Sequence, residues 1–137
     1  MWSIQIPQED QKTLTKKLQE ISALLKSYLI ALQPAEHQSL PKMSDKTIPF
    51  VEKVLEYTKS NPEFTPSYLQ VDEMEIDIQA VDDLRRLYRE VEQLCKNLDD
   101  TMMLSGSEAY AAALAYYNSV KQASKMNVPG LSLFLRI

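Results

Sequence analysis

The 137-residue sequence predicts an all-α protein, an antiparallel four-helix bundle with one long central helix, in a single domain. The chain has only two glycines, Gly106 and Gly130, so it offers few of the tight turns that a many-stranded β fold needs. Apolar residues recur at spacings of three and four over long stretches, which is the helical period. Prolines separate these stretches, and the length suffices to bury a core without disulfides or metal.

The first helix is predicted over residues 7–32. Pro7 suits a first helical position, and Glu9 and Asp10 favour the positive end of the helix dipole. Pro34 ends the helix. One apolar stripe runs along it, formed by Leu14, Leu18, Ile21, Leu25, Tyr28 and Leu32.

The second helix is predicted over residues 47–60. Ser44, Asp45 or Thr47 can cap its start, and Asn61 followed by Pro62 stops it. Its inward-facing residues are Ile48, Val51, Val54, Leu55 and Thr58. Proline-bearing connections, residues 33–43 and 62–71, flank this helix.

The third helix is predicted over residues 72–104, with Asp72 and Glu75 as a capping box and Val71 packed on Ile76 as a hydrophobic staple. So long a helix needs neighbours along its whole apolar face, supplied by the first and fourth helices or by a second subunit. That face is expected to be core, and it is formed by Val81, Leu84, Tyr88, Val91, Cys95, Leu98 and Met102, broadened by Leu87 and Leu94.

The fourth helix is predicted over residues 107–126. Ser105 and Glu108 form a second capping box, and Gly106 eases a reversal of direction. Alanines between residues 109 and 115 let a neighbouring helix approach closely. Pro129 and Gly130 prevent continuation.

Both ends of the chain, residues 2–6 and 131–137, alternate apolar and polar residues with period two, a strand pattern. One hypothesis is that the N-terminal segment and the C-terminal tail, residues 128–137, pair as a short β ribbon with each other or with a second subunit. Alternatively each lies extended over the bundle, or the C-terminal stretch is one more helical turn.

The charge pattern disfavours nucleic acid as a partner. Net charge is −4, and residues 63–104 hold eleven Asp or Glu against four Lys or Arg, a surface that repels phosphate backbones. A nucleic-acid accessory would need basic residues clustered on one face, namely Lys12, Lys16, Lys17, Lys26, Lys121 and Lys125. No signal-peptide pattern and no apolar run of membrane-spanning length is present, so we expect a soluble, cytoplasmic protein without membrane contact.

No residue is predicted to be catalytic, cofactor-binding or metal-binding. His37 is the only histidine and is predicted to lie in a surface connection, whereas zinc and di-iron sites need several ligands of that kind. Cys95 occupies a core-type position with no histidine near it in sequence, and a lone thiol fits a reducing compartment. The acids of the third helix leave a magnesium site as an alternative to a solvated acidic face.

Tyrosines form the most distinctive polar-aromatic set. Tyr110 and Tyr117 share one helical face, with Tyr116 beside them, and Tyr28 and Tyr88 hold core-type positions on other helices. Aromatic residues at helical spacing usually belong to the core. A subunit interface and a small-molecule pocket are the alternatives, because tyrosine is amphipathic.

Residues 98–110, continuing through residues 113–121 to 126–130, resemble a family of small uncharacterised bacterial all-helical proteins. The connection that contains Asn61, Pro62 and Phe64 is similar too, so the resemblance covers residues 40–130. It implies a helical fold and no particular activity. In that family the segment after Pro-Gly is charged and amphipathic, whereas here residues 131–137 are nearly all apolar.

These features favour a non-enzymatic structural or protein-interaction module that self-associates as a homo-oligomer through the long helices or the C-terminal tail. The alternative is a small-molecule-binding protein or enzyme with a site between helices. Its mark would be a closed cavity among Tyr28, Tyr88, Tyr110 and Tyr117.

Overall fold

A computed structural model describes residues 3–126 of the chain. Within that range the chain is helical and contains no strand, which confirms the all-α class. The four α-helices are α1 (Gln8–Leu25), α2 (Pro34–Ser39), α3 (Ile48–Ser60) and α4 (Val71–Lys125), with a 3-10 turn over Pro62–Phe64. The predicted tail, residues 128–137, lies outside the described residues, so the ribbon hypothesis stays a prediction.

The structure does not show the antiparallel four-helix bundle, because the predicted helices 72–104 and 107–126 are a single helix. α4 runs for 55 residues without interruption through Ser105 and Gly106, where a reversal of direction was expected. A glycine inside a helix costs only about 1 kcal/mol relative to alanine, and the alanine-rich stretch that follows favours helix strongly. Capping residues alone therefore do not reverse the chain here.

The apolar face of α4 also stays on one side of the helix on both sides of Ser105 and Gly106. From Met102 onward, Ala113 and Ser124 follow at steps of eleven residues, and eleven residues make three turns of nearly ideal pitch. Tyr117 and Val120 lie between them on the same face. The heptad pattern thus passes into an eleven-residue pattern that an uninterrupted helix can carry.

The first helix is shorter than the predicted range 7–32. α1 ends at Leu25, and the Tyr28 N–H donates to the Leu25 carbonyl at 2.8 Å in a closing turn. Downstream, Pro34 holds Gln33 extended, at φ −73° and ψ 154°, which a helix cannot continue through. Tyr28, Leu29 and Ile30 are each more than half exposed, so they contribute little packing that would favour a helix here.

A short helix, α2, lies within the predicted connection over residues 33–43. Pro34 stands in its first turn, and the Gln33 N–H donates to Glu36 Oε1 at 3.1 Å, which satisfies one free donor at the helix start. Pro34 therefore begins α2 and keeps Gln33, the residue before it, extended.

The second predicted helix, residues 47–60, differs from α3 by one residue at its start. Thr47 precedes α3, and its hydroxyl accepts the Ser44 N–H at 2.8 Å while donating to the Ser44 carbonyl. Pro49 lies in the first turn, where a missing N–H costs nothing. The Asn61 N–H closes the last turn on the Tyr57 carbonyl.

Two compact units divide the chain. One is Gln11–Glu90, in which α3 and the 3-10 turn are in close backbone contact. The other contains residues 3–10 and 91–126 in its described part. Across residues 3–126, Val120 is the one residue that reaches the buried class, at 6% exposure.

Gly106→Ala tests the continuity of α4. A Cβ built at Gly106 meets nothing within 4 Å, so alanine should stabilise the protein by about 0.5–1 kcal/mol through its higher helix propensity. Thermal unfolding followed by far-UV circular dichroism measures the shift, with Ala109→Gly as the opposite control. A loss of helical circular dichroism signal in Gly106→Ala, and not merely a lower midpoint, would place a turn at this position.

Candidate self-association surface

The largest apolar feature of α4 is a row of side chains that we call the α4 stripe. It follows the three-four spacing along one face of the helix, and its members were expected to form core. That expectation is wrong within the single chain, where the carbon side chains are 44–70% exposed and the Cys95 thiol is also exposed. The stripe consists of Leu84, Tyr88, Val91, Cys95, Leu98 and Met102.

The exposure has a direct cause in the fold. The neighbours predicted for this face were the first and fourth helices or a second subunit. The residues expected as the fourth helix continue α4 itself, so they cannot fold back over the stripe. The apolar residues Leu14, Leu18 and Ile21 of α1 are each more than half exposed as well.

Other faces of α4 are polar, which makes the helix amphipathic. The Gln79 amide donates to Asp83 Oδ1 at 3.0 Å, and the Gln93 amide donates to Asn97 Oδ1 at 3.1 Å. Both pairs are one helical turn apart and exposed. Leu87 and Leu94 extend the apolar side beyond the stripe, and Leu94 is 62% exposed. The apolar side is therefore wider than a two-helix seam requires.

Within Gln11–Glu90, α3 lies beside the start of α4. Val51 of α3 and Met74, Ile78 and Val81 of α4 are half-buried and line one depression together with Met43. An ion pair adds to this contact, with Lys59 Nζ 2.7 Å from Glu75 Oε1. Both side chains are about half exposed, so the pair contributes at most about 1 kcal/mol.

The predicted capping box of the long helix is displaced by this arrangement. α4 begins at Val71, so Asp72 lies inside the first turn and not before it. Asp72 and Glu73 there favour the positive end of the helix dipole, while Glu75 points to Lys59.

An open apolar depression of about 450 Å³ lies beside α3. Its lining contains no charged side chain and therefore no pair of groups suited to acid–base chemistry. The residues that line it are Val54, Tyr57, Thr58, Asn61, Phe64, Thr65, Pro66 and Leu69.

The residues that the sequence singled out for chemistry lie at exposed positions. His37 is on α2, where a loop was expected, and it is exposed. Cys95 is an exposed free thiol. In the part of the chain from residue 3 to residue 126, no three His, Cys, Asp or Glu side chains gather in an arrangement that could hold a metal ion.

Four tyrosines were named as the possible lining of a closed cavity. Tyr28, Tyr88 and Tyr110 are each about two-thirds exposed or more, and Tyr117 is 38% exposed. The Lys121 ammonium lies over the Tyr117 ring at 5.6 Å from its centroid, a cation–π contact. Side chains this exposed do not enclose a cavity in the single chain.

Comparisons of the chain with family models, curated proteins and solved structures gave no match. Among the helices described, none is both long enough and apolar enough to cross a bilayer.

Replacing one isoleucine at a time tests the contact between α3 and α4. Ile78→Ala removes half-buried packing and should lower the free energy of unfolding by about 1–2 kcal/mol. Ile76→Ala is the matched control, because Ile76 is 67% exposed, and its effect should stay within about 0.5 kcal/mol. Urea unfolding measures both variants, and equal effects would contradict the packing described here.

Proposed function

We propose that this protein is a non-enzymatic structural module that works by self-association, with the α4 stripe of one copy covered by a second copy. The exposure of the stripe carries the proposal. Six consecutive core-type positions of one helix face solvent in the chain alone. Soluble proteins rarely expose contiguous apolar patches of this kind unless the patch binds something.

The energetics of folding support this proposal. Ordering the backbone costs roughly 1–2 kcal/mol per residue, and apolar burial is the main term that offsets this cost. In the chain from residue 3 to residue 126, one residue is buried, Val120, at 6% exposure. A long helix draws most of its stability from packing of its apolar face, so α4 needs a neighbour beyond those that residues 3–126 supply.

The face of α4 that carries the stripe and the small residues after it is long enough for a stable interface. The segment from Leu84 to Tyr117 spans about 50 Å at the helical rise, and a helix is about 10 Å wide. Two such faces bury on the order of 1,000 Å² together, which is about the area expected of a specific interface.

Under this proposal the antiparallel four-helix packing expected from the sequence forms between copies of the chain and not within one copy. The protein is then a homo-oligomer. A cytoplasmic location fits the exposed free thiol of Cys95, since reducing compartments keep such thiols from forming disulfides.

One substitution pair tests self-association directly. Leu98→Asp places a carboxylate in the middle of the stripe, and burying it unpaired should weaken association on the order of a hundredfold. Asn97→Asp adds the same charge one residue away, on a polar face, and should leave association nearly unchanged. Sedimentation velocity over a range of concentrations measures both, and circular dichroism reports whether each variant is helical. Equal behaviour of the two variants would contradict the proposal.

The reactivity of Cys95 gives an independent test that needs no substitution. The thiol is exposed in the single chain, so a thiol-specific chromogenic reagent should modify it readily in dilute solution. At higher protein concentration a second copy covers the stripe, and the modification rate should fall at least severalfold. A rate that is independent of protein concentration, with the protein shown to be oligomeric, would exclude Cys95 from the interface.

A further inference from the structure

The relative orientation of the two α4 helices in the pair can be inferred from α4 itself, and this inference rests on the self-association proposed above. We propose that two copies pair through α4 in antiparallel orientation about a two-fold axis near residue 97. The acidic start of each α4 then lies beside the lysine-bearing end of the other.

Charge is distributed unevenly along α4. Residues 72–83 contain six acidic residues and no basic one, while the helix after Glu108 contains Lys121 and Lys125 and no acid. Parallel pairing would place the two acidic segments side by side and align the two helix dipoles unfavourably. Antiparallel pairing places each acidic segment near two lysines and opposes the dipoles.

Side-chain volume is distributed unevenly as well. Bulky side chains fill the stripe from Leu84 to Met102, whereas the same side of the helix carries small residues from Ser105 to Ala113. Parallel pairing would set small residues against small residues and leave a gap, which a packed interface does not tolerate. Antiparallel pairing sets large side chains against small ones, the complementarity that dense packing requires.

The position of Gly106 determines where along α4 the two-fold axis lies. A Cβ built at this glycine meets nothing within 4 Å, so the helix surface there is open to a bulky group. Tyr88 is the largest residue of the stripe and is 66% exposed. With the axis at residue 97, Tyr88 of each copy lies opposite Gly106 of the other, and the two contacts are equivalent by symmetry.

The same axis brings Glu73 level with Lys121 along the helix, with Lys121 at the edge of the paired face. Glu73 is exposed and, at the helical period, lies on the side of α4 that carries the stripe. Lys121 is exposed beside Tyr117, whose ring it covers. The paired apolar face ends near this point, because Val120 is already buried in its own chain.

Distances between spin labels test the orientation. In a Cys95→Ser background, a label on the exposed Ala115→Cys should lie about 54 Å from its counterpart in an antiparallel pair, as the helical rise dictates, against less than about 30 Å in a parallel pair. A label on Asn97→Cys lies near the axis and should give less than about 30 Å in either orientation. Pulsed electron paramagnetic resonance measures both distances.

The two labels separate failure of this inference from failure of the proposed function. Short distances at both positions would overturn antiparallel pairing and leave self-association standing. The absence of dipolar coupling at both positions, in a sample that sediments as a monomer, would overturn self-association itself.

A charge swap tests the pairing through a different property. Glu73→Lys alone and Lys121→Glu alone should each weaken association by about two- to fivefold, the effect of an exposed ion pair. The double variant restores opposite charges across an antiparallel interface and should recover most of the affinity. Additive loss in the double variant, measured by sedimentation equilibrium at low salt, would contradict the pairing of Glu73 with Lys121.

Discussion

The structure depends on one constraint, which is that the apolar face of a 55-residue helix must be shielded from water. α4 is the largest element of the chain, and the central part of its apolar face is exposed. Helix propensity and one-turn polar pairs such as Gln93 with Asn97 contribute only tenths of a kcal/mol each. The hydrophobic effect is the one interaction strong enough to hold such an element, and it requires a partner surface.

The half-buried and exposed parts of α4 are consistent with this constraint. α3 lies beside the start of α4, where half-buried aliphatic residues of both helices line one depression and Lys59 pairs with Glu75. Val120 is buried near the other end of α4. Between these points the stripe is exposed within residues 3–126, and this is the part of α4 that the proposed second copy covers.

Local sequence signals predicted some elements closely and others poorly, for physical reasons. The bounds of α3 follow from Pro49 and from Asn61-Pro62, because proline acts on the backbone whatever surrounds it. The reversal at Ser105 and Gly106 was wrong, because a capping box and a glycine only permit a helix end. Alanine-rich sequence on the C-terminal side and an eleven-residue apolar step favour continuation, and these are the signals that indicate one helix.

The stripe itself was predicted residue by residue, and its surroundings were not. Three-four spacing shows that Leu84, Leu98 and Met102 share a face, but it carries no information about which chain covers that face. α1 shows the same limit. Leu14 and Ile21 share one stripe, as predicted, but each is about half exposed. Periodicity identifies which residues share an apolar face, whereas the surface that covers this face depends on how the helices are arranged.

Sedimentation equilibrium of the unmodified protein, with far-UV circular dichroism recorded at each concentration, tests the central claim most directly. The account predicts a mass of at least twice 15.7 kDa at micromolar concentration, and a loss of helicity that accompanies dissociation on dilution. A 15.7 kDa monomer whose full helicity is independent of concentration would contradict it, because α4 would then be stable with its apolar face in water.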